Sequence, residues 1–221
     1  MNKLTLVIPA KYESESLPEV LSELKKYNLN TIVVLEKEDQ KTIDSIVNFD
    51  CNILYQINKG YGDALIQGIN NVNTEYFCIF NADGSFDPRE LNEMYNCVEK
   101  TEADLVFGSR YMSAASSEDD TIITFIGNKI FTLIGKIFFI LPISDILYTY
   151  VLGDTKKTQL LNLKEKSFPF CVELPILAKK NKNIIVSLPS NERRRIAGKK
   201  KVNAFKDGFD ILTAMIRLFF K

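Results

Sequence analysis

Three short stretches carry side chains that chemistry could use. Phe80-Asn-Ala-Asp-Gly-Ser-Phe-Asp-Pro88 ends an apolar run in Asn81 and Asp83 and sets Asp87 just before a proline. An acidic residue at a strand's carboxyl end, followed by glycine, suits an oxygen-rich Mg²⁺ or Mn²⁺ site that also takes substrate phosphates. The plainer reading is an Asx-turn in which Asp87 caps the next helix. Val7-Ile-Pro-Ala-Lys-Tyr-Glu13 carries Glu13 out of a first strand, past Pro9 and Ala10. Asn58-Lys-Gly-Tyr-Gly-Asp-Ala64, with Gly68 a turn further on, puts Gly60 and Gly62 where the chain passes close to something, and then opens a helix near Asp63. It is neither a dinucleotide fingerprint nor a P-loop. The chain has no histidine, which excludes His-based metal sites, Ser-His-Asp triads and Cys-His dyads.

Regular elements must hold these residues in place. Lys3–Pro9 is β-rich, Leu17–Tyr27 has helical spacing, Thr31–Leu35 is β-branched, Thr42–Val47 is helical and Asn52–Gln56 extended. Ala64–Val72 then reads as helix, Glu75–Phe80 as strand, Pro88–Val98 as helix with proline in its first turn, and Asp104–Gly108 as strand. Alternating strands and helices predict an α/β fold with a mostly parallel sheet covered on both faces. Ligands then bind beyond the carboxyl ends of the strands, after Pro9, Leu35, Gln56, Phe80 and Gly108, where the polar and glycine-rich stretches fall.

With 221 residues, 46% hydrophobic and 25% charged, one large domain is expected. Lys plus Arg and Asp plus Glu both number 28, which argues against a nucleic-acid partner and against disorder. The balance hides an asymmetry: residues 193–221 hold nine cations against two anions, a net +7 that leaves −7 for residues 1–192. A basic tail on an acidic body suggests a phosphate-rich ligand or an anionic membrane surface. Four scattered cysteines without a CxxC pair, and no charged leader before Lys3, lead to the expectation of a reducing, cytoplasmic setting.

Ser113–Asp120 is small and polar, a mobile loop by composition. The apolar stretch from Ile122 to Ile143 is interrupted by Asn128, Lys129, Lys136 and Pro142 and falls short of an uninterrupted membrane span. At 100° per residue, Thr121, Thr124, Asn128, Lys129, Thr132 and Lys136 share one arc of about 140°, leaving the wider arc to Ile, Phe and Leu. Residues 204–221 repeat the design, with Lys206, Asp207, Asp210, Thr213, Arg217 and Lys221 on one face. Two such helices, about 121–141 and 204–221, fit segments lying in a membrane interface beside a domain of residues 1–203. Ordinary packing on the sheet is the competing reading.

In their order, these segments resemble the family 2 glycosyltransferases of the GT-A fold, especially the branch of dolichol- and polyprenyl-phosphate sugar synthases. The residues that carry the resemblance are Val7–Glu13, Gly60–Asp63, Asn81–Asp83, Gly108-Ser-Arg-Tyr111 and Arg195-Ile-Ala-Gly-Lys-Lys-Lys201. It implies a GT-A, Rossmann-like α/β fold and an inverting transfer from a nucleotide-sugar donor to a polyprenyl phosphate. It also implies that Pro9, Ala10, Glu13, Glu36, Asp63, Ala82 and Asp83 surround the nucleotide and a Mg²⁺ or Mn²⁺ ion, with Gly60 and Asn81 beside them. Arg195 would stabilise the leaving diphosphate with the metal. Arg110 would meet the acceptor phosphate, assisted by Asn128, Lys129, Lys199 and Lys201. Three departures stand out: Leu35-Glu36 replaces an aspartate pair, Asn81 replaces the first metal aspartate, and Lys200 replaces a serine. They leave a degenerate, non-catalytic nucleotide-sugar-binding module as an alternative.

A sugar hydroxyl needs a positioned base as it attacks, whereas a lipid phosphate is already anionic. Without histidine the base would be a carboxylate. Asp145 lies near a family aspartate on the acceptor side, and Glu173 matches a family helix start, although it equally reads as a structural cap. These considerations favour a membrane lipid phosphate and a protein peripheral on the inner face of the membrane. A saccharide acceptor in surface-polysaccharide synthesis is the second reading.

Overall fold

The first strand, β1 (Leu4–Ala10), buries Leu4, Leu6, Val7 and Ile8 completely because it lies inside the sheet with helices on both faces. This is a computed structural model that describes residues 1–198 and 203–221. After β1 come α1 (Leu17–Leu24), β2 (Asn30–Leu35), α2 (Gln40–Ser45), β3 (Asn52–Tyr55), α3 (Tyr61–Asn70), β4 (Tyr76–Ile79), α4 (Leu91–Thr101) and β5 (Leu105–Ser109). Then follow β6 (Ser116–Ser117), α5 (Ile122–Phe139), β7 (Val151–Asp154), α6 (Thr155–Gln159), α7 (Phe170–Lys180), β8 (Ile185–Pro189), β9 (Asn191–Glu192) and α8 (Ala204–Phe219). The predicted strand ends at Pro9, Leu35, Gln56, Phe80 and Gly108 each fall within one residue of those observed.

The sheet order is β3-β2-β1-β4-β7-β5-β8. Every neighbouring pair is parallel except those of β7, which runs antiparallel to both β4 and β5. From β1 the chain moves outward through β2 and β3, and β4 returns to its other side, with Val7 opposite Ile79. That reversal of winding opens a crevice beyond Ala10 and Phe80, where an open α/β sheet places its ligand.

One face of the sheet packs Leu17, Val20, Leu21 and Leu24 of α1 and Leu91, Met94 and Val98 of α4. The other packs Ala64, Leu65 and Ile69 of α3 and Phe170, Val172, Leu174 and Ile176 of α7. Ile211, Ala214, Met215 and Leu218 of α8 belong to this second core, so the helix at 204–221 shares the domain's core instead of standing apart from it. Residues 113–120 are only partly a loop. Ser116 and Ser117 pair in parallel with Asn191 and Glu192 as a two-stranded ribbon.

The helix α5 turns the middle of its polar arc, Asn128 and Thr132, inward. Thr121 and Thr124 close its start as a capping box. Asn128 and Thr132 are buried, while Ile123, Ile126, Ile130, Leu133 and Ile137 are all more than half exposed. Lys129 and Lys136, from the same predicted arc, are exposed. On α8, Phe205, Phe209 and Ile216 are exposed as well, and edge-to-face contact of Phe138 with Phe219 at 5.8 Å joins the two helices.

The loop after β4 is pinned by aromatic packing. Phe86 stacks on Tyr150 with ring centroids 4.5 Å apart, and the buried Tyr150 hydroxyl donates to the Asp87 carbonyl at 2.8 Å. Tyr150→Phe leaves that carbonyl with only the Glu90 N–H at 3.2 Å, so we expect a loss of about 0.5–1.5 kcal/mol. The urea midpoint should fall with an unchanged slope. An unchanged midpoint would show that the loop is held by other contacts.

Candidate active site

A cavity of about 630 Å³ lies beyond the carboxyl ends of β1, β2 and β4. Of the residues singled out in the sequence, Pro9, Ala10, Glu13, Glu36, Gly60, Asn81, Ala82, Asp83, Arg110, Asn128 and Arg195 line it. Asp63 does not: its carboxylate is occupied by the side chains of Asn58 and Gln67 at the start of α3. The close approach at the two glycines also has another cause. A Cβ on Gly60, whose φ is +125°, would meet the Lys166 carbonyl oxygen at 2.0 Å, and one on Gly62 would meet that of Glu165 at 2.1 Å. The chain they admit is the protein's own loop before α7.

At the β4 end, Asp83 accepts the Ser85 N–H at 3.0 Å and faces the Arg195 guanidinium at 3.5 Å. Arg195 also binds Asp119 at 3.0 Å, and its Nε is buried without a partner among the described residues. Asn81 donates its amide to Ser85 at 3.2 Å, which leaves the amide oxygen as the atom it can offer a ligand. Asp83 and Asn81 therefore supply one carboxylate and one neutral oxygen. Among the described residues no cluster of three ligating His, Cys, Asp or Glu side chains occurs. This set suits a hard divalent ion completed by substrate phosphates and water, the usual manner of binding Mg²⁺, and does not form a closed resident site. Asp87 is the expected cap, accepting the Arg89 N–H at 2.9 Å.

The opposite end is built around Asp145, 1% exposed. Its oxygens accept Arg110 Nε at 2.7 Å, Arg110 Nη2 at 3.0 Å and the Arg110 backbone N–H at 3.1 Å, as well as the Asn128 amide. Burial works against the Arg110 charge, but the hydrogen bonds and charge of Asp145 outweigh it and raise the pKa well above the ordinary value. Arg110 reaches Glu192 at 3.2 Å with its Nη1 and lies over the Tyr148 ring at 4.7 Å. Asp145 thus lies behind Arg110 and does not line the cavity, so its lone pairs are not offered to an acceptor. Lys129 stands outside, with its ammonium over the Tyr111 ring at 4.3 Å. Glu173 is also remote: it accepts the backbone N–H groups of Lys164 and Glu165, anchoring the loop before α7. Lys199 and Lys201 lie outside the described residues.

The arginines do not form an exposed basic strip. Arg193 is clamped by Glu23 at 2.9 and 3.0 Å and by the carbonyls of Gly84 and Phe86. Several lining residues escaped the sequence reading. Lys11 bonds Glu36 at 2.6 Å, Asp120 accepts the Tyr111 hydroxyl at 2.5 Å, and Glu192 joins Arg110 to Ser117. Asp119 and Asp120 form an acidic pair directly before a helix cap, and Glu192 directly precedes three arginines. Both were available signals. The Cys171 thiol in the wall is pushed up to about 12 by burial, so it packs as a small apolar group.

Comparison with known proteins agrees with this layout. Over 97% of its length the chain is 24% identical to an uncharacterized protein of Methanocaldococcus jannaschii, covering 93% of that protein. Over 98% of its length it is 22% identical to a dolichol-phosphate mannosyltransferase of Pyrococcus furiosus, of which it spans 63%. The fold superposes on glucosyl-3-phosphoglycerate synthase of Mycobacterium tuberculosis, solved with Mn²⁺, UDP and glucosyl-3-phosphoglycerate, with a TM-score of 0.80 at 11% identity. That match covers 98% of this chain and 80% of the other, and it shows a shared GT-A fold. The family described as Glycosyl transferase family 2 matches residues 5–157, which include the strands and loops that form most of the cavity floor. The chain belongs to that glycosyltransferase family.

Proposed function

We propose that this glycosyltransferase moves a hexose from a nucleotide-sugar donor to the phosphate of a polyprenyl-type lipid while seated on a membrane surface. The observation that carries the reading is the inverted burial of α5. In a domain surrounded by water, an amphipathic helix turns its apolar arc to the core. Here Asn128 and Thr132 face inward and a run of isoleucines and phenylalanines faces out, continuous with the exposed phenylalanines of α8. Such a surface is far more apolar than a water-exposed face requires, and it adjoins the end of the cavity that holds Arg110. Ile122–Phe139 is also long and apolar enough to cross a membrane by length and composition. The inward-facing Asn128 and Thr132 favour a helix lying along the surface, at the cytoplasmic leaflet.

The reaction uses few groups. A departing nucleoside diphosphate needs positive charge as the glycosidic bond breaks, and Arg195 beside Asp83 is placed to supply it. A divalent ion, when bound by Asp83 and Asn81, would neutralise further phosphate charge. At the acceptor end, Asp119, Asp120, Asp145 and Glu192 are all engaged by Arg195, Tyr111, Arg110 or Ser117. An acceptor that arrives already ionised suits this arrangement better than a hydroxyl that must lose a proton. Arg110 is held rigidly by Asp145, and its Nη1 contact with Glu192 is the one an incoming phosphate would replace.

Two experiments test this reading. Arg195→Ala should lower kcat/KM by about a hundredfold or more, about 2.7 kcal/mol of transition-state stabilisation, in addition to a stability loss like that of Arg193→Ala, since it too releases part-buried carboxylates. Arg193→Ala should act chiefly on stability, by about 1–3 kcal/mol, because it breaks a part-buried clamp. Equal, mild losses of turnover from both variants would make Arg195 an ordinary loop cation. In flotation, the protein should rise with anionic vesicles, and the surface double variant Ile130→Glu with Phe209→Glu should reduce the bound fraction at least tenfold. A wild type that stays with the soluble fraction at low salt would contradict the membrane reading.

A further inference from the structure

The acceptor end of the cavity holds more acid than its cation can answer. Of the cations lining the cavity among the described residues, Arg195 faces Asp83 and Asp119 and Lys11 bonds Glu36, which leaves Arg110 for an acceptor. Arg110 already answers two carboxylates, Asp145 behind it and Glu192 at 3.2 Å. The other ionisable groups around Glu192 do not correct the balance. Lys129 is turned outward over the Tyr111 ring. Arg193 is clamped by Glu23, and Arg194 and Glu118 are exposed. Glu90 holds the Ser190 hydroxyl and the Asn191 N–H, and Asp120 holds the Tyr111 hydroxyl. Burial above all pushes the Tyr148 hydroxyl well above its ordinary pKa, so it stays neutral.

Glu192 lines the cavity and is 9% exposed. Arg110 Nη1 and the Ser117 hydroxyl both donate to its Oε2, which leaves Oε1 for a ligand. A phosphate that takes over Nη1 leaves the carboxylate with Ser117 alone. A carboxylate so buried, with one hydrogen bond and a second anion against it, is favoured in its neutral form. A phosphomonoester has a second pKa of about 6 and is mostly dianionic above pH 7. Placed on Arg110 with Asp145 and Glu192 both ionised, it would add its two negative charges to theirs around one guanidinium. A proton held between a phosphate oxygen and Glu192 removes one of those charges and turns a repulsion into a strong hydrogen bond.

We propose that Glu192 takes up one proton as the acceptor phosphate binds and holds it between its carboxylate and a phosphate oxygen. The inference rests on the acceptor reading above. A second phosphate oxygen stays on Arg110. The third, unprotonated, forms the new bond to the anomeric carbon as the bond to the diphosphate breaks and its electron pair leaves with the diphosphate. The product is a phosphodiester, too strong an acid to share the proton. The proton therefore returns to water as the product leaves, and none is consumed over the cycle.

Calorimetric titration of the full chain with geranyl phosphate, a short polyprenyl phosphate, counts these protons when repeated at pH 7.5 in buffers of different ionisation enthalpy. Wild type should take up about one proton per ligand, and its Kd should rise by up to about tenfold per pH unit between pH 7 and 8.5. Glu192→Gln keeps the shape and the Ser117 contact without the charge. Its proton uptake should nearly vanish, and at pH 8 it should bind at least about tenfold tighter than wild type. The wild-type count decides even if the variant does not fold. Proton-neutral binding by wild type, with the charge met by another cation, would overturn the inference and leave the acceptor reading standing. So would uptake that persists in Glu192→Gln. Failure of wild type to bind geranyl phosphate even at pH 6.5 would overturn the acceptor reading itself.

Discussion

The carboxylate of Asp145 governs much of this structure. Taking it out of water costs several kcal/mol unless charge and hydrogen bonds replace the solvent, and the replacements come from two directions. Arg110, just after β5, closes on it from the cavity side, and Asn128 closes on it from α5. The Asn128 oxygen also accepts from the Leu147 N–H and the Thr132 hydroxyl, and that hydroxyl accepts from the Ile146 N–H. Once Asn128 and Thr132 are committed inward, the helix has no choice about its other side. Ile123, Ile126, Ile130, Ile137 and Phe138 then face out, and an apolar surface forms beside the cavity mouth. One buried acid therefore links Arg110 in the cavity with the apolar surface on which a lipid acceptor is proposed to arrive.

Charge in the cavity is allocated in a similar way. Arg195 is shared between Asp83 and Asp119, Arg110 between Asp145 and Glu192, and Lys11 is held by Glu36. Each cation is oriented by a carboxylate before any substrate arrives, which lowers the cost of ordering long side chains on binding. The ribbon of β6 and β9 ties two of these pairs together, since Asp119 follows one strand and Glu192 ends the other. Asn81 in place of a second acid fits this economy: the phosphate end already holds an arginine against Asp83, and less negative charge is left for a metal to balance.

The sheet was largely legible because alternating apolar strands and polar turns mark strand ends, and the cavity lies where those ends meet. The antiparallel β7 was not. Its four residues follow an aromatic run and carry no hairpin signal, and their direction is set by pairing with β4 and β5 far away in sequence. Periodicity showed that α5 has two unlike arcs. Which arc lies inside depended on Asp145 and the Ile146–Leu147 backbone, a tertiary matter that spacing does not encode. The glycines at 60 and 62 make room for the 164–167 loop, roughly a hundred residues away and unseen by any local window, while Asp63 is taken up by Asn58 and Gln67 beside it at the start of α3. Acid pairing with the arginines at 193 and 195 likewise turned part of the expected basic tail into internal clamps.

Transfer to a lipid phosphate at an apolar surface is measured by incubating the protein with Mn²⁺, radiolabelled nucleoside-diphosphate hexoses and vesicles containing a polyprenyl phosphate. Label should enter the organic extract as a mild-acid-labile lipid-linked hexose, formed with the phosphorylated lipid and not with the corresponding polyprenol. Label that enters only water-soluble saccharides, or that is independent of the lipid phosphate, would contradict transfer to the lipid.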